Sequence, residues 1–122
     1  MKAQNTGLKR ILKAFVYSYQ GFIAAFKSEA AFRQDILFVL VFCAIAICLN
    51  IPMFQKFCLF FGLLLILLME LVNTAIETII DRISQDYHPL SGKAKDIGSL
   101  LVLLAFVNAI LLWAAIIYEF YF

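Results

Sequence analysis

Apolar side chains recur along residues 8–27 at Leu8, Ile11, Leu12, Phe15, Val16, Tyr19, Phe22, Ile23 and Phe26. Steps of three and four place them on one stripe of a helix, with Lys9, Arg10, Lys13, Tyr17, Ser18 and Gln20 on the other faces. A basic amphipathic helix of this kind suits a membrane surface, apolar side down and cations toward lipid phosphates. Beyond it the pattern changes from a stripe to whole apolar segments. Residues 36–49 carry no charge, and the helical pattern extends back through Phe32, which predicts a first span over about 32–49. Pro52 marks a tight turn or the opening of the next helix. Gly62 is the one weak point in a second run from 53 to 81, read as a span over about 54–81. Those 29 residues make ~43 Å of helix against a hydrocarbon core of ~30 Å, so this helix projects from the membrane. Residues 82–96 read as a polar loop with Pro89 and Gly92, and 97–118 as a third span without a charge. The expected fold is all-α: a surface helix followed by three transmembrane helices in one membrane domain.

Composition agrees with that reading and removes alternatives. Of 122 residues, 65% are hydrophobic and only 15% charged. A soluble domain of this size has too little interior to hide such a fraction, and a disordered or disulfide-stapled secreted chain has the opposite composition. Cys43, Cys48 and Cys58 lie in apolar runs with no metal-ligand spacing and read as packing residues. The N-terminus lacks the compact apolar core and cleavage site of a signal peptide. A net charge of +2 without a basic run argues against nucleic acid as a partner.

The placement of charge says more than its total. Six of the ten Lys and Arg lie in residues 1–34 and three in 82–96, leaving only Lys56 elsewhere. Three spans bring the first two segments to one side, which the positive-inside rule makes cytoplasmic, with the C-terminus outside. Trp113, Tyr118 and Tyr121 are expected near the outer interface as aromatic anchors.

The segment Glu70-Leu-Val-Asn73-Thr-Ala-Ile-Glu77-Thr-Ile-Ile-Asp81 carries the candidate chemistry. At 100° per residue Asn73, Glu77 and Asp81 fall within about 60° of Glu70, so all four share one face. Glu70 stands just inside the inner hydrocarbon boundary and Glu77 about 10 Å further along. A carboxylate at such depth costs ~2.5–3.5 kcal/mol on insertion scales for the comparable Asp. The bland reading is interhelical glue, with Glu70 bonded to Asn73 or a neighbouring helix. Near the same membrane face lie Glu29, which an i,i+4 pair with Arg33 would explain, and Lys93-Ala94-Lys95-Asp96, which positive-inside flanking would explain. Taken together, carboxylates able to hold Mg²⁺, cations for phosphates and a desolvated carboxylate at the lipid boundary are the parts of a phosphoryl-transfer site. No GxxxxGK[ST] or kinase glycine-rich loop is present, so such a site needs a different fold.

The stretches EAAFRQ (29–34), MELVNTAIETIIDRIS (69–84) and YHPLSGKAKDIGS (87–99) resemble the prokaryotic diacylglycerol kinase family, small homotrimeric integral-membrane enzymes of the bacterial inner membrane. The ExxNxxxExxxDR spacing joined to the SGxAKDxGS segment is specific, and the likeness covers nearly the whole chain. The resemblance implies phosphorylation of diacylglycerol to phosphatidic acid with ATP as co-substrate and Mg²⁺ as cofactor. It implies Glu70 as general base, Asn73 in support, and Glu29 and Glu77 as ligands of the divalent ion. Arg10, Tyr17, Glu29, Glu77, Asp86, Tyr87, His88, Lys95 and Asp96 would contact the nucleotide. Arg10, Ala31, Arg33, Lys56, Glu70, Ser99 and Trp113 would line the lipid side, in sites built from more than one subunit. The sequence departs from the Gram-negative pattern at Phe26, Cys48 and Lys56, where tryptophan or arginine stands, at Ser28 in place of asparagine, and at Leu100 in place of alanine. The first four of these concern lipid contact or the edge of the site.

Two alternatives to diacylglycerol phosphorylation follow from the same residues. A polyprenol (undecaprenol) kinase would use the same chemistry on another lipid alcohol. A small proton-coupled transporter would also use a membrane Glu, but predicts an even number of spans and a Glu near the midplane.

Overall fold

A computed structural model describes residues 6–122. Lys2, one of the cations counted above, lies outside the described residues. Four helices follow one another, with no strand among the described residues: α1 (Gly7–Ser28), α2 (Ala30–Cys48), α3 (Met53–Ile83) and α4 (Pro89–Tyr121). The last three are long and apolar enough to cross a membrane. At 1.5 Å per residue α3, with its 31 residues, is ~46 Å long, so its polar end extends past a ~30 Å core. α1 has the strongly one-sided pattern of a surface helix, whereas α4 is apolar nearly all round.

The core sits where α3 packs against α4 and α2. Val39, Leu63, Ile66, Ala105 and Ala109 form one buried cluster, and Ala46, Ile51, Leu59 and Ile116 a second toward the α2–α3 turn. Lipid is as apolar as leucine, so small residues that let backbones approach matter more here than hydrophobicity itself. Gly62 is such a place: a Cβ there would lie 3.5 Å from the Ala109 Cα and 3.0 Å from Leu112 Cδ1.

The connections are short and individually capped. Glu29 alone separates α1 from α2, in extended backbone, and its N–H bonds Ala25 O at 2.9 Å. The Arg33 guanidinium donates to Phe26 O and, at 3.1 Å, to Lys27 O. It thus closes the C-terminal end of α1, where a cation is favoured, and the expected Glu29–Arg33 ion pair does not form. At the α2–α3 turn Lys56 Nζ donates to Ile47 O at 2.7 Å, and Asn50 N–H donates to the Tyr121 hydroxyl at 2.8 Å.

Two expectations are corrected. The polar loop over 82–96 shrinks to residues 84–88, because α4 starts at Pro89. His88 caps that helix, its Nδ1 accepting from Leu90 N–H at 3.1 Å, and Pro89 occupies the first turn, where its missing N–H costs nothing. Ser91 to Asp96 therefore ride on a helix despite their polarity. Trp113 is no interface anchor: its ring packs edge-on against Phe42, centroids 5.2 Å apart, and its Nε1 is buried. It stands two turns before the end of α4, on the side turned to α2. Tyr121, at the helix end, makes the polar contact instead.

Candidate functional site

The column on α3 forms as its spacing requires, and each member finds a different partner. Glu70 is buried, 6% exposed, and is the only charged side chain so enclosed among the described residues. Asp35 on α2 comes close enough for the two carboxyl groups to act on each other. Two carboxylates so near repel, and a proton on one of them relieves the pair. One turn along α3, Asn73 Nδ2 donates to Glu77 Oε1 at 3.1 Å. One turn further, Asp81 Oδ1 accepts from Lys95 Nζ on α4 at 3.1 Å, the only ion pair among the described residues.

Glu29 reaches the same place from the break between α1 and α2. Both Glu29 and Glu77 lie near enough for their charges to act on the Glu70 carboxyl. Four acidic side chains from three segments thus gather at the basic end of the bundle: Glu29 from the break, Asp35 from α2, and Glu70 and Glu77 from α3. Like charges so placed repel, and only a cation or a proton relieves them. Among the described residues no three His, Cys, Asp or Glu close on one point as a ready-made metal cage. Mg²⁺ does not need one: it takes one or two carboxylates and completes its shell with water and substrate phosphates. Glu29 and Glu77, hard oxygen donors at the rim, fit that requirement.

On the face of α4 turned away from α3, Tyr87, Pro89, Gly92, Lys93, Asp96, Ile97 and Leu100 line an open cleft of about 590 Å³. A second hollow of about 700 Å³ lies between α1 and α3, bordered by Ser18, Gly21, Ser28, Thr74 and Thr78. A third, of about 200 Å³ and almost wholly apolar, is lined by Phe38, Phe42, Ile66, Phe106, Ala109 and Trp113.

The remaining candidates fall into three groups. Arg10 is exposed and Tyr17 half-buried on α1, while Ala31 and Arg33 stand in the first turn of α2. Asp86, Tyr87 and His88 occupy the exposed loop, and Lys95, Asp96 and Ser99 the early turns of α4. Lys56 stands apart at the opposite end, 14 residues or ~21 Å along α3 from Glu70. Trp113 likewise lies in the apolar half. The residue missed by sequence reasoning is Asp35. Its signal was present, an acid one turn inside a predicted span, but only packing reveals that it faces Glu70.

The model of the family described as prokaryotic diacylglycerol kinase matches residues 16–117. The chain is 40% identical to a diacylglycerol kinase of Escherichia coli (strain K12) over 98% of both chains. It is 45% identical to one from Pseudomonas aeruginosa over 92% of this chain and 91% of the relative. A diacylglycerol kinase of Haemophilus influenzae is 34% identical over 94% of this chain and 98% of the relative. A family match across most of the chain, with relatives aligned end to end and no large insertion, leaves one assignment: the chain belongs to the prokaryotic diacylglycerol kinase family.

Proposed function

We propose that this chain transfers the γ-phosphoryl group of ATP to the hydroxyl of diacylglycerol, yielding phosphatidic acid at the cytoplasmic face of a bacterial inner membrane. The observation that carries the reading is the gathering of Glu29, Asp35, Glu70 and Glu77 at the basic end of the bundle, beside Lys95. A lipid hydroxyl cannot leave the interface and ATP cannot enter hydrocarbon, so the reacting groups must meet where these side chains stand. The relatives' names supply the acceptor.

Glu70 is the general base. The Glu70 carboxylate takes the proton of the lipid hydroxyl as its oxygen attacks the γ-phosphorus. The bond from that phosphorus to the β–γ bridging oxygen breaks, and ADP leaves. Glu29 and Glu77 would hold Mg²⁺, and Asn73 orients Glu77 through the hydrogen bond at 3.1 Å. When bound, the ion neutralises charge on the ATP phosphates. Lys95, held by Asp81, supplies a fixed positive charge to the same oxygens. Arg10, Tyr17, Asp86, Tyr87, His88 and Asp96 bind the nucleotide. Arg10, Ala31, Arg33, Lys56, Ser99 and Trp113 contact the lipid. A homotrimer supports this arrangement, because three thin spans leave much of the site open in one subunit and expose broad apolar faces.

The test is phosphate transfer in mixed micelles with Mg²⁺ and γ-labelled ATP, offering diacylglycerol and undecaprenol separately. Label in phosphatidic acid, at a rate well above that on undecaprenol, is the expected result. Preference for undecaprenol would reassign the acceptor, and no labelled lipid from either would end the kinase reading.

A further inference from the structure

Asn73 is held by two neighbours that differ sharply. Its Nδ2 donates to Glu77 Oε1, while its Oδ1 is buried and meets no hydrogen-bond donor. That oxygen points across the interface at α4, onto the bare Cα of the buried Gly98. A Cβ built at Gly98 would collide with Asn73 Oδ1 and lie 3.3 Å from its Cγ and 3.6 Å from Ile76 Cδ1. No side chain at position 98 leaves the amide where it is. The amide cannot be reversed either, since its oxygen would then face the Glu77 carboxylate, which offers no donor when ionised. A Cα–H contact returns to Oδ1 only a part of what a full hydrogen bond gives. The fold therefore tolerates an under-satisfied buried acceptor to keep the amide in this place.

We infer that Gly98 is a positioning residue: its bare Cα is the wall against which Asn73 stands so that its NH₂ group holds the Glu77 carboxylate in one orientation. The inference rests on the kinase reading, in which Glu77 receives the divalent ion with the ATP phosphates. A methyl group at position 98 displaces the Asn73 amide along or away from α3, and Glu77 loses its donor. Ion and nucleotide then meet a carboxylate free to turn. Misplacement of a reacting group by ~1 Å costs on the order of a hundredfold in rate.

The experiment is a double-mutant cycle on detergent-purified full-length protein, comparing the parent, Gly98→Ala, Asn73→Ala and Gly98→Ala/Asn73→Ala. The expected pattern is a kcat for Gly98→Ala lower by about tenfold to a hundredfold and a raised Mg²⁺ concentration for half-maximal rate. The double variant should match Asn73→Ala alone, because Gly98 acts only through that amide. Additive losses in the double variant, or a Gly98→Ala enzyme with parental rate and Mg²⁺ dependence, would overturn the inference. Should Gly98→Ala fail to fold, removal of the Asn73 side chain opens the space and must restore folding; a double variant that also fails to fold refutes the proposed contact. A parent protein that phosphorylates no lipid defeats the kinase reading itself and is distinguished by that control.

Discussion

Gly62 and Gly98 both bring α3 and α4 together, and their surroundings separate the two halves of the molecule. At Gly62 an added methyl group meets the tip of Leu112, a flexible side chain in an apolar cluster that can turn aside. At Gly98 it meets a buried amide whose other end is tied to Glu77. The same device, a missing side chain, serves helix packing in one half and the aim of a polar group in the other. The apolar half is held by Val39, Leu63, Ile66 and Ala109, whose contacts are interchangeable in kind and sum by volume. In the polar half the links are single directed bonds, Asn73 to Glu77 and Lys95 to Asp81, beside the close carboxyls of Asp35 and Glu70. Removal of one such bond has no substitute nearby, so function should be far more sensitive there than stability.

That contrast can be broken or sharpened by substitution. The largest effect is expected from Glu70→Gln, which keeps the shape but cannot take a proton. Lipid phosphorylation should fall by about 10²–10⁴-fold, with helical content by circular dichroism and ATP binding retained; a rate close to the parent's would remove Glu70 from the chemistry. Tyr121→Phe deletes the hydroxyl that accepts from Asn50 N–H in the far half. It should lower stability in detergent by about 1 kcal/mol and leave kcat unchanged; a loss of rate comparable to that of a polar-end variant would erase the division between halves. Gly62→Ala should do least. Its better helix propensity and the crowding of Leu112 oppose each other, leaving stability within about 1 kcal/mol and activity within about twofold. A tenfold loss of activity there would show that α3–α4 spacing, rather than the polar links, governs the rate.

The same division explains what could be read from the sequence. Strongly apolar runs with few charges identify α2, α3 and α4, because lipid demands continuous apolar surface from each helix alone. The face shared by Glu70, Asn73, Glu77 and Asp81 follows from helix geometry and needs no tertiary information. Partners on other helices are a different matter. Asp35 resembles a flanking charge until α2 packs beside α3, and Gly98 has no chemistry of its own until Asn73 is seen against it. The sequence leaves Arg33 free to form an i,i+4 pair with Glu29, whereas the abrupt end of α1 offers it two carbonyls instead. The start of α4 at Pro89 was masked by Ser91, Gly92 and Lys93, whose polarity suggests a loop, while the capping signal of His88-Pro89 lay in the same segment.

The central claim is that phosphate transfer takes place at the end of the bundle that holds Glu29, Glu70, Glu77 and Lys95. It is tested most directly by reconstituting the protein into diacylglycerol-containing vesicles in one orientation, verified by protease access to the 84–88 loop, with γ-labelled MgATP confined to one side. Labelled phosphatidic acid should form when ATP is on the side of that loop and should be absent when ATP is only on the side of the α2–α3 turn. Transfer from ATP restricted to the α2–α3 side would contradict the account.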